Sequence, residues 1–438
     1  MKTIPTRIPM DCCQIDKQLY PVQELADIHP GGAFWVELFA GRDATHAFLS
    51  YHRRRFPHEK VRDEYHILVR SEQREKEQRE KVLEDALELD KDYLELCEEV
   101  KLVVPVQKSF ATFGYFVKTF CLLASSFSLE YWMHMTDTYD WKYTSILGLL
   151  FALIGMNIHH DANHGAISRH AWINHTLGSI NNWIGGSAID WIHQHVVQHH
   201  LYCNDMNHDP DAMGNIIVRL NASNEWNGIH RYQHLHIFLL FAVFGLFYSV
   251  KGFVDNVYNW SHTDYSPIIV RKYMRSETIR TGMGLSRWII LPMWGWWRGG
   301  AEGAPLWIRY VNCLPVFVVG GYYLSFFFIL SHNFRGTVHT EVDTNSPEIS
   351  FLSRQVTTSS NVGGEWLCWL NGGLNYQIEH HLFPRICHVH YPKLLPIVRE
   401  FCKKKGITYV HFPTIWDNLK SCTEYLYDMG RKPREHVE

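Results

Sequence analysis

Apolar and polar positions divide this chain into a long apolar middle between two polar ends. A membrane-crossing helix takes about 20 mainly apolar residues. Tyr143–His160 supplies 18 without a formal charge, Tyr232–Val250 supplies 19 and Tyr310–Phe334 supplies 25. Ser109–Met133 is comparable but contains Lys118 and Glu130, the latter near enough to one end to snorkel. These four runs predict a polytopic membrane helix bundle. Ala171–Ile189 is uncharged, yet Asn174, His175, Asn181 and Asn182 predict a segment lying at the membrane surface. Trp288–Trp297 has four Trp and an internal Pro292, the pattern of an interfacial or re-entrant piece. Before the apolar middle, residues 70–101 are dense in charge with leucines at Leu83, Leu87, Leu94 and Leu96, which predicts a helix with one weak apolar stripe. The pattern therefore divides into a small N-terminal domain (1–66), a charged helical linker (67–108), a membrane domain (109–413) and a C-terminal tail (414–438). No internal repeat or low-complexity tract interrupts it.

Charge sets the expected topology. The N-terminus lacks the continuous apolar core of a secretory signal, so it is expected to stay in the cytosol. The connection HMTDTYDWK between the first two spans reads as a short lumenal hairpin, bringing the chain back to the cytosol at His160. Six Lys/Arg lie within 251–287 (Lys251, Arg271, Lys272, Arg275, Arg280, Arg287) and favour the cytosol. On that reading Tyr232–Val250 does not cross fully and the Trp-rich piece must; the sequence does not say which two segments cross. Asn259-Trp-Ser is a glycosylation sequon that would be modified only in a lumenal loop.

Composition narrows the chemistry. With 42 Lys+Arg against 45 Asp+Glu the formal charge is −3, which gives no basic surface for a nucleic acid. Aromatics at 14% exclude a disordered chain. The ten Cys contain no CxxC pair and read as packed, reduced thiols. The unusual feature is 28 His, ten of them between His159 and His208.

Three clusters stand out. HHDANH places His160 and His164 four apart at the end of an apolar run, on one face of a helix. HQHVVQHH repeats that spacing with His195 and His199, and His200 lies about 100° further round the helix. QIEHH puts Gln377, His380 and His381 at i, i+3 and i+4. His332 ends the longest apolar run and is a further candidate, with a helix-end histidine as the alternative. Imidazole sites suit Zn, Cu, Fe or Ni. A lone catalytic zinc takes about three protein ligands, so eight imidazoles and Gln377 are enough for two ions. The clusters can meet only if all lie on the same side of the membrane, a parity satisfied by two crossings before His160 and two between His200 and His332.

In this order and between paired apolar spans, HDANH, QHVVQHH and GGLNYQIEHHLFP resemble the membrane fatty-acid desaturases. Gln377, standing for the first histidine of the third box, marks the front-end subgroup. The resemblance covers about residues 105–413, including YQHLH and YPKLLPIVREFCKKKGITYVHFP. It implies a pair of non-haem iron ions that activates O2 and removes two hydrogens from an acyl chain. His160, His164, His195, His199, His200, His332, His380 and His381 carry over as iron ligands, with Gln377 a ligand or near neighbour.

That reaction consumes two further electrons, and the N-terminal stretch offers their source. His29-Pro-Gly-Gly is followed 23 residues later by His52, and two histidines on opposed turns can hold a haem iron from both faces. Phe34, Phe39 and Phe48 are candidates for the apolar walls, and His46 is a weaker candidate than His52. The stretch resembles a cytochrome b5 domain, a common N-terminal fusion of front-end desaturases, with CQIDKQLYPVQEL as the only segment available for its early strands. The expected fold is thus mainly α: a polytopic membrane helix bundle with a cytosolic helical cap, plus a small α+β cytochrome b5-like domain. The resemblance implies haem b, electrons from an NADH-cytochrome b5 reductase, the endoplasmic reticulum membrane, and a polyunsaturated acyl substrate carried by CoA or phospholipid. The middle box and LYCNDMNHDPD look most like enzymes acting at the fifth carbon, with positions 4, 6 and 8 as alternatives. Rival readings are a sphingolipid long-chain-base desaturase, a lipid hydroxylase and a non-catalytic haem-binding membrane protein.

Overall fold

A computed structural model describes residues 8–70, 90–214, 216–258, 265–299, 303–339 and 349–432. The part of the expected linker at 71–89, with Leu83 and Leu87, and the Asn259 sequon lie outside the described residues. In the N-terminal domain, β1 (Cys12–Ile15) and β2 (Gln18–Pro21) pair antiparallel with Ile15 opposite Gln18. Asp16 and Lys17 make the two-residue turn at φ 46° and 64°, both in the left-handed region that suits the twist of a hairpin. The helices α1 (Val22–Ile28), α2 (Ala33–Glu37), α3 (Thr45–His52) and α4 (His58–Tyr65) follow, and Tyr20, Val22, Leu38 and Phe39 join one core. The helix α5 (Lys91–Val103) buries Tyr93, Leu96, Cys97 and Val100. Their spacing of i, i+3, i+4 and i+7 is one helical face, and it packs on Phe351, Phe383 and Leu394 of the membrane domain.

Next come α6 (Phe113–Thr136) and α7 (Trp141–Ile154), joined by a tight turn at Asp137. A π-helical turn, Gly155–His159, carries α7 into α8 (His160–Asn163). Two helices too short to cross a membrane, α9 (Ala171–Gly178) and α10 (Ile180–Ile184), follow as expected for a surface segment. The chain then passes through α11 (Ala188–Trp191) and a π-helical stretch, Ile192–His199, to α12 (His200–Tyr202). Three long helices complete the bundle: α13 (Gln233–Tyr258), α14 (Arg275–Gly299) and α15 (Leu306–His332). By length and composition, Val106–Thr136, Trp141–Asn163, Gly228–Val257 and Leu306–His332 could cross a membrane.

Contacts refine this picture. The Trp-rich piece is the last third of α14, helical through Pro292, and not a separate interfacial element. That end abuts the α6–α7 turn, where Gly295 lies against Asp137 and Arg309 of α15 pairs with the same carboxylate. The other end of α14 sits on the histidine side, where Glu277 accepts hydrogen bonds from Asn182 and Ser187 at 2.8 and 2.9 Å. So α14 runs the length of the bundle and α15 returns to His332. By contrast, α13 begins beside Leu426 and ends against the opening turns of α14, with Phe253 at Gly282. By length and composition α13 is nonetheless the candidate span of this pair, within Gly228–Val257.

Glu130 does not snorkel. It is buried, accepting from Arg287 at 2.6 Å and from the Trp183 indole at 3.1 Å. Lys118 is likewise satisfied internally, by Asn157 and the Trp369 carbonyl. Glycines let the helices approach closely, as is usual within membranes: a Cβ at Gly148 would lie 2.5 Å from the Val316 carbonyl, and Gly245 and Gly321 meet backbone to backbone. On the histidine side lie α16 (Phe351–Thr357), β3 (Asn361–Val362), α17 (Glu365–Asn371), α18 (Gln377–Leu382) and α19 (Tyr391–Lys405). The two-residue β4 (His411–Phe412) pairs parallel with β3, and α20 (Ile415–Met429) folds back so that Asn418 donates to the Leu330 carbonyl at 3.0 Å.

Candidate metal centre and haem pocket

All eight candidate histidines and Gln377 converge in one buried cluster. It separates into two groups, within each of which the potential ligand atoms lie within 4.8 Å of one another: His160, His164, His195 and His380, then His199, Cys203, His332 and His381. His200 joins the first, its Nε2 at 3.1 Å from that of His195 and 3.0 Å from that of His380. Gln377 Nε2 joins the second, 3.1 Å from His332 and 3.3 Å from His381. The first box serves one group, whereas the second and third boxes each divide between both. The π winding of Ile192–His199 contributes to this, because it brings residues five apart, His195 and His200, into contact where an α-helix favours four.

The outer side of each ring is held in place. His199 Nδ1 faces Asp209 at 3.0 Å, His332 Nδ1 the Thr358 carbonyl at 3.0 Å, His380 Nδ1 the Tyr391 hydroxyl at 3.2 Å and His381 Nδ1 the Gln355 amide oxygen at 2.9 Å. With Nδ1 engaged, each Nε2 is turned inward, as in metal-bound imidazoles. His332 is therefore oriented by a partner outside its own helix rather than by helix-end carbonyls. Burial, followed by repulsion among neighbouring imidazoles, holds the pKa values of His195, His200, His380 and His381 well below the ordinary range, so they are neutral donors. For His199, burial opposes the charge most strongly, but Asp209 and Asp211 together outweigh it and raise the pKa.

Nε2 of His160, His164 and His199 and Oε1 of Gln377 are buried without a hydrogen-bond partner among the described residues. So many inward-facing lone pairs would be costly to bury unless cations balanced them. The donor set fits a pair of metal ions such as the desaturase irons: His160, His164, His195, His200 and His380 would hold the first, and His199, His332 and His381, with Gln377 beside them, the second. Sequence reasoning missed Cys203, whose Sγ is 3.5 Å from His332 Nδ1, although it lies only three residues after His200. It also missed the buried trio of Asp161, Cys387 and His388, in which His388 Nδ1 is 2.7 Å from Asp161. His159 packs against the Gly178 carbonyl and Asn163.

In the N-terminal domain His29 caps α1 and His52 ends α3, with ring centroids 6.1 Å apart. His29 Nδ1 is bound to the Gly32 carbonyl at 3.0 Å and His52 Nδ1 to the Phe48 carbonyl at 3.1 Å, leaving each Nε2 for a metal. Gly31 is required because a Cβ there would lie 2.9 Å from the His29 ring, and Gly32 sits at φ +96°. Both histidines line a cavity of about 670 Å³ with Phe34, Phe39 and Phe48, an apolar slot suited to a haem. Burial, then the nearby Arg385 charge, lowers the His52 pKa to about 3, the neutral form a haem ligand needs. His46 points elsewhere, toward Asp90 and Phe351.

The two sites share a wall. His164 lines the haem cavity, and its Nδ1 is 2.8 Å from the hydroxyl of Tyr51, also in that wall. Arg42 reaches His193 at 3.2 Å, while Lys272 and Tyr273 bind Glu37, fixing the small domain on the large one. Outer partners of metal-bound histidines are worth about 10–100-fold in affinity or activity. Tyr51→Phe is accordingly expected to lower desaturation at least about tenfold with the haem absorbance retained, read by product analysis and visible spectroscopy on the same preparation.

Fold and site together define a membrane-bound oxidoreductase whose buried histidine cluster adjoins a cytochrome b5-like domain. Residues 140–413 match the family model for fatty acid desaturases, and residues 10–81 match that for the cytochrome b5-like heme/steroid binding domain. The chain belongs to the fatty acid desaturase family. It is 39% identical over 440 residues to an acyl-lipid (7-3)-desaturase of Rebecca salina, a match covering 98% of this chain and 92% of that protein. It is 37% identical over 429 residues to an acyl-lipid (7-3)-desaturase of Diacronema lutheri, covering 97% and 91%. To Delta(5) fatty acid desaturase A of Dictyostelium discoideum it is 26% identical over 451 residues, covering 97% and 91%. These relatives are front-end acyl-lipid desaturases.

Proposed function

We propose that this protein inserts a double bond into a polyunsaturated acyl chain, between an existing double bond and the carboxyl end. The observation that carries the reading is the convergence of all three histidine boxes with His332 and Gln377 on one buried cluster that touches the haem cavity through His164. When bound, the two irons supply O2 activation and hydrogen abstraction from neighbouring methylenes. The protein's own residues do the rest. Asp209, Thr358, Gln355 and Tyr391 aim the imidazoles inward, burial excludes water, and His29 and His52 hold haem b at the shared wall. Electrons enter from an NADH-cytochrome b5 reductase. Arg271, Lys272 and Arg275 lie at the histidine side of the bundle, which supports a cytosolic position for both sites in the endoplasmic reticulum membrane.

We place the new bond at position 4. The relatives at 39% and 37% identity bear the name (7-3), which reads as a bond three carbons nearer the carboxyl end than one at carbon 7. Their acyl-lipid names also favour a phospholipid-borne chain over an acyl-CoA. Position 5 is the second reading, supported by LYCNDMNHDPD and by the Dictyostelium relative at 26% identity. Yeast expressing the chain, fed acids whose first double bond lies at carbon 7 or at carbon 8, is expected to convert the former to a product with a bond at carbon 4. Conversion of the latter alone would move the assignment to position 5. Hydroxy acids or altered sphingoid bases would replace it with a hydroxylase or a long-chain-base desaturase.

A further inference from the structure

The haem cavity has two unlike halves. Every residue that the N-terminal domain contributes to its wall is uncharged at neutral pH, and Phe34, Phe39, Phe48 and Phe56 are among them. All three arginines that line it, Arg169, Arg280 and Arg385, come from the membrane domain. Arg169 is exposed, and Arg280 is engaged by Glu277 at 2.7 Å. Arg385 differs from both. It is half-buried, its nearest ring neighbour is Phe110 at 6.0 Å, and it makes no hydrogen bond or ion pair among the described residues. Its charge is felt at His29, His52 and Tyr51 across the cavity.

An unpaired guanidinium partly removed from water needs an anion, and its planar fork matches a carboxylate with two parallel hydrogen bonds. Haem b is an apolar macrocycle with two carboxylates at one edge. The apolar half of the cavity suits the ring, and the cationic half suits that edge. We propose that Arg385 binds a haem propionate, so that the membrane domain completes the haem site of the N-terminal domain. The inference rests on haem binding by His29 and His52. Arg385 follows His381 by four residues, so the segment after α18 that presents imidazoles to the metal cluster also presents a cation to the haem. Haem orientation is thereby tied to the position of the third box.

The test uses the full-length protein in detergent, stripped of haem and reconstituted in parallel with haem b and with its dimethyl ester, which lacks free carboxylates. Release of each into excess apomyoglobin is followed at the Soret band. Arg385→Gln is expected to release haem b about tenfold faster than the unaltered chain, a difference of about 1.4 kcal/mol. Arg385→Lys should fall between them, and the ester should leave both proteins at the same rate. Equal release of haem b from both proteins would overturn the proposal. So would equally accelerated loss of haem b and ester from Arg385→Gln, which marks a purely structural role. Failure of the unaltered chain to take up haem b at all would sink the haem reading itself, and this inference with it.

Discussion

Replacing His380 with alanine is expected to reduce double-bond formation at least about 100-fold while leaving the haem absorbance unchanged. His380 is the member of the first group that approaches His200 most closely, at 3.0 Å, and Tyr391 fixes its far nitrogen. Losing an outer partner costs about 10–100-fold, so losing the inner imidazole costs no less. Its value as a test lies in its position. His164 belongs to the histidine cluster and also lines the haem cavity, so its loss would disturb haem and metal together, whereas His380 does not line the haem pocket. Iron per chain should fall from about three toward one, the haem iron alone. Retained desaturation with unchanged iron would remove the third box from the site.

His52→Ala should have the converse spectroscopic result and the same catalytic one: haem absorbance lost, desaturation lost, non-haem iron kept. His52 stacks on Phe48 at 4.2 Å and faces His29 across the slot, so its removal leaves an apolar cavity with one axial donor. Because the metal cluster draws none of its imidazoles from the N-terminal domain, its iron content should be untouched. Activity surviving in this variant would mean that a separate cytochrome delivers the electrons.

The parts of the site legible in the sequence were those written in local spacing. His160/His164 and Gln377/His380/His381 are adjacent on single helical turns, and His332 is marked by the end of an apolar run. Ligand grouping was not legible, because the second box winds as a π-helix and each of the last two boxes serves both groups. Tyr51 and Arg385 were invisible for a different reason. Each acts across the seam between the domains, 113 residues from His164 in the first case, and no spacing rule spans such a distance. The bundle shows the same division. Counting apolar residues found α6, α7, α13 and α15 but truncated α14, three of whose charges, Glu277, Arg280 and Arg287, are paired within the protein. Arg287 binds Glu130 and Glu277 binds Arg280, Asn182 and Ser187. A hydropathy window registers such residues as polar without registering that they are paired.

The anchoring of the small domain through Glu37, Arg42 and Tyr51 has a kinetic consequence. A tethered carrier that swings must find its acceptor by diffusion, and its delivery rate then depends on linker length. Here the haem pocket and the histidine cluster are held in register, so delivery between them should not depend on the length of the linker. Lengthening the 71–89 connection with Gly-Ser repeats should leave turnover per molecule unchanged once the outside reductant is saturating.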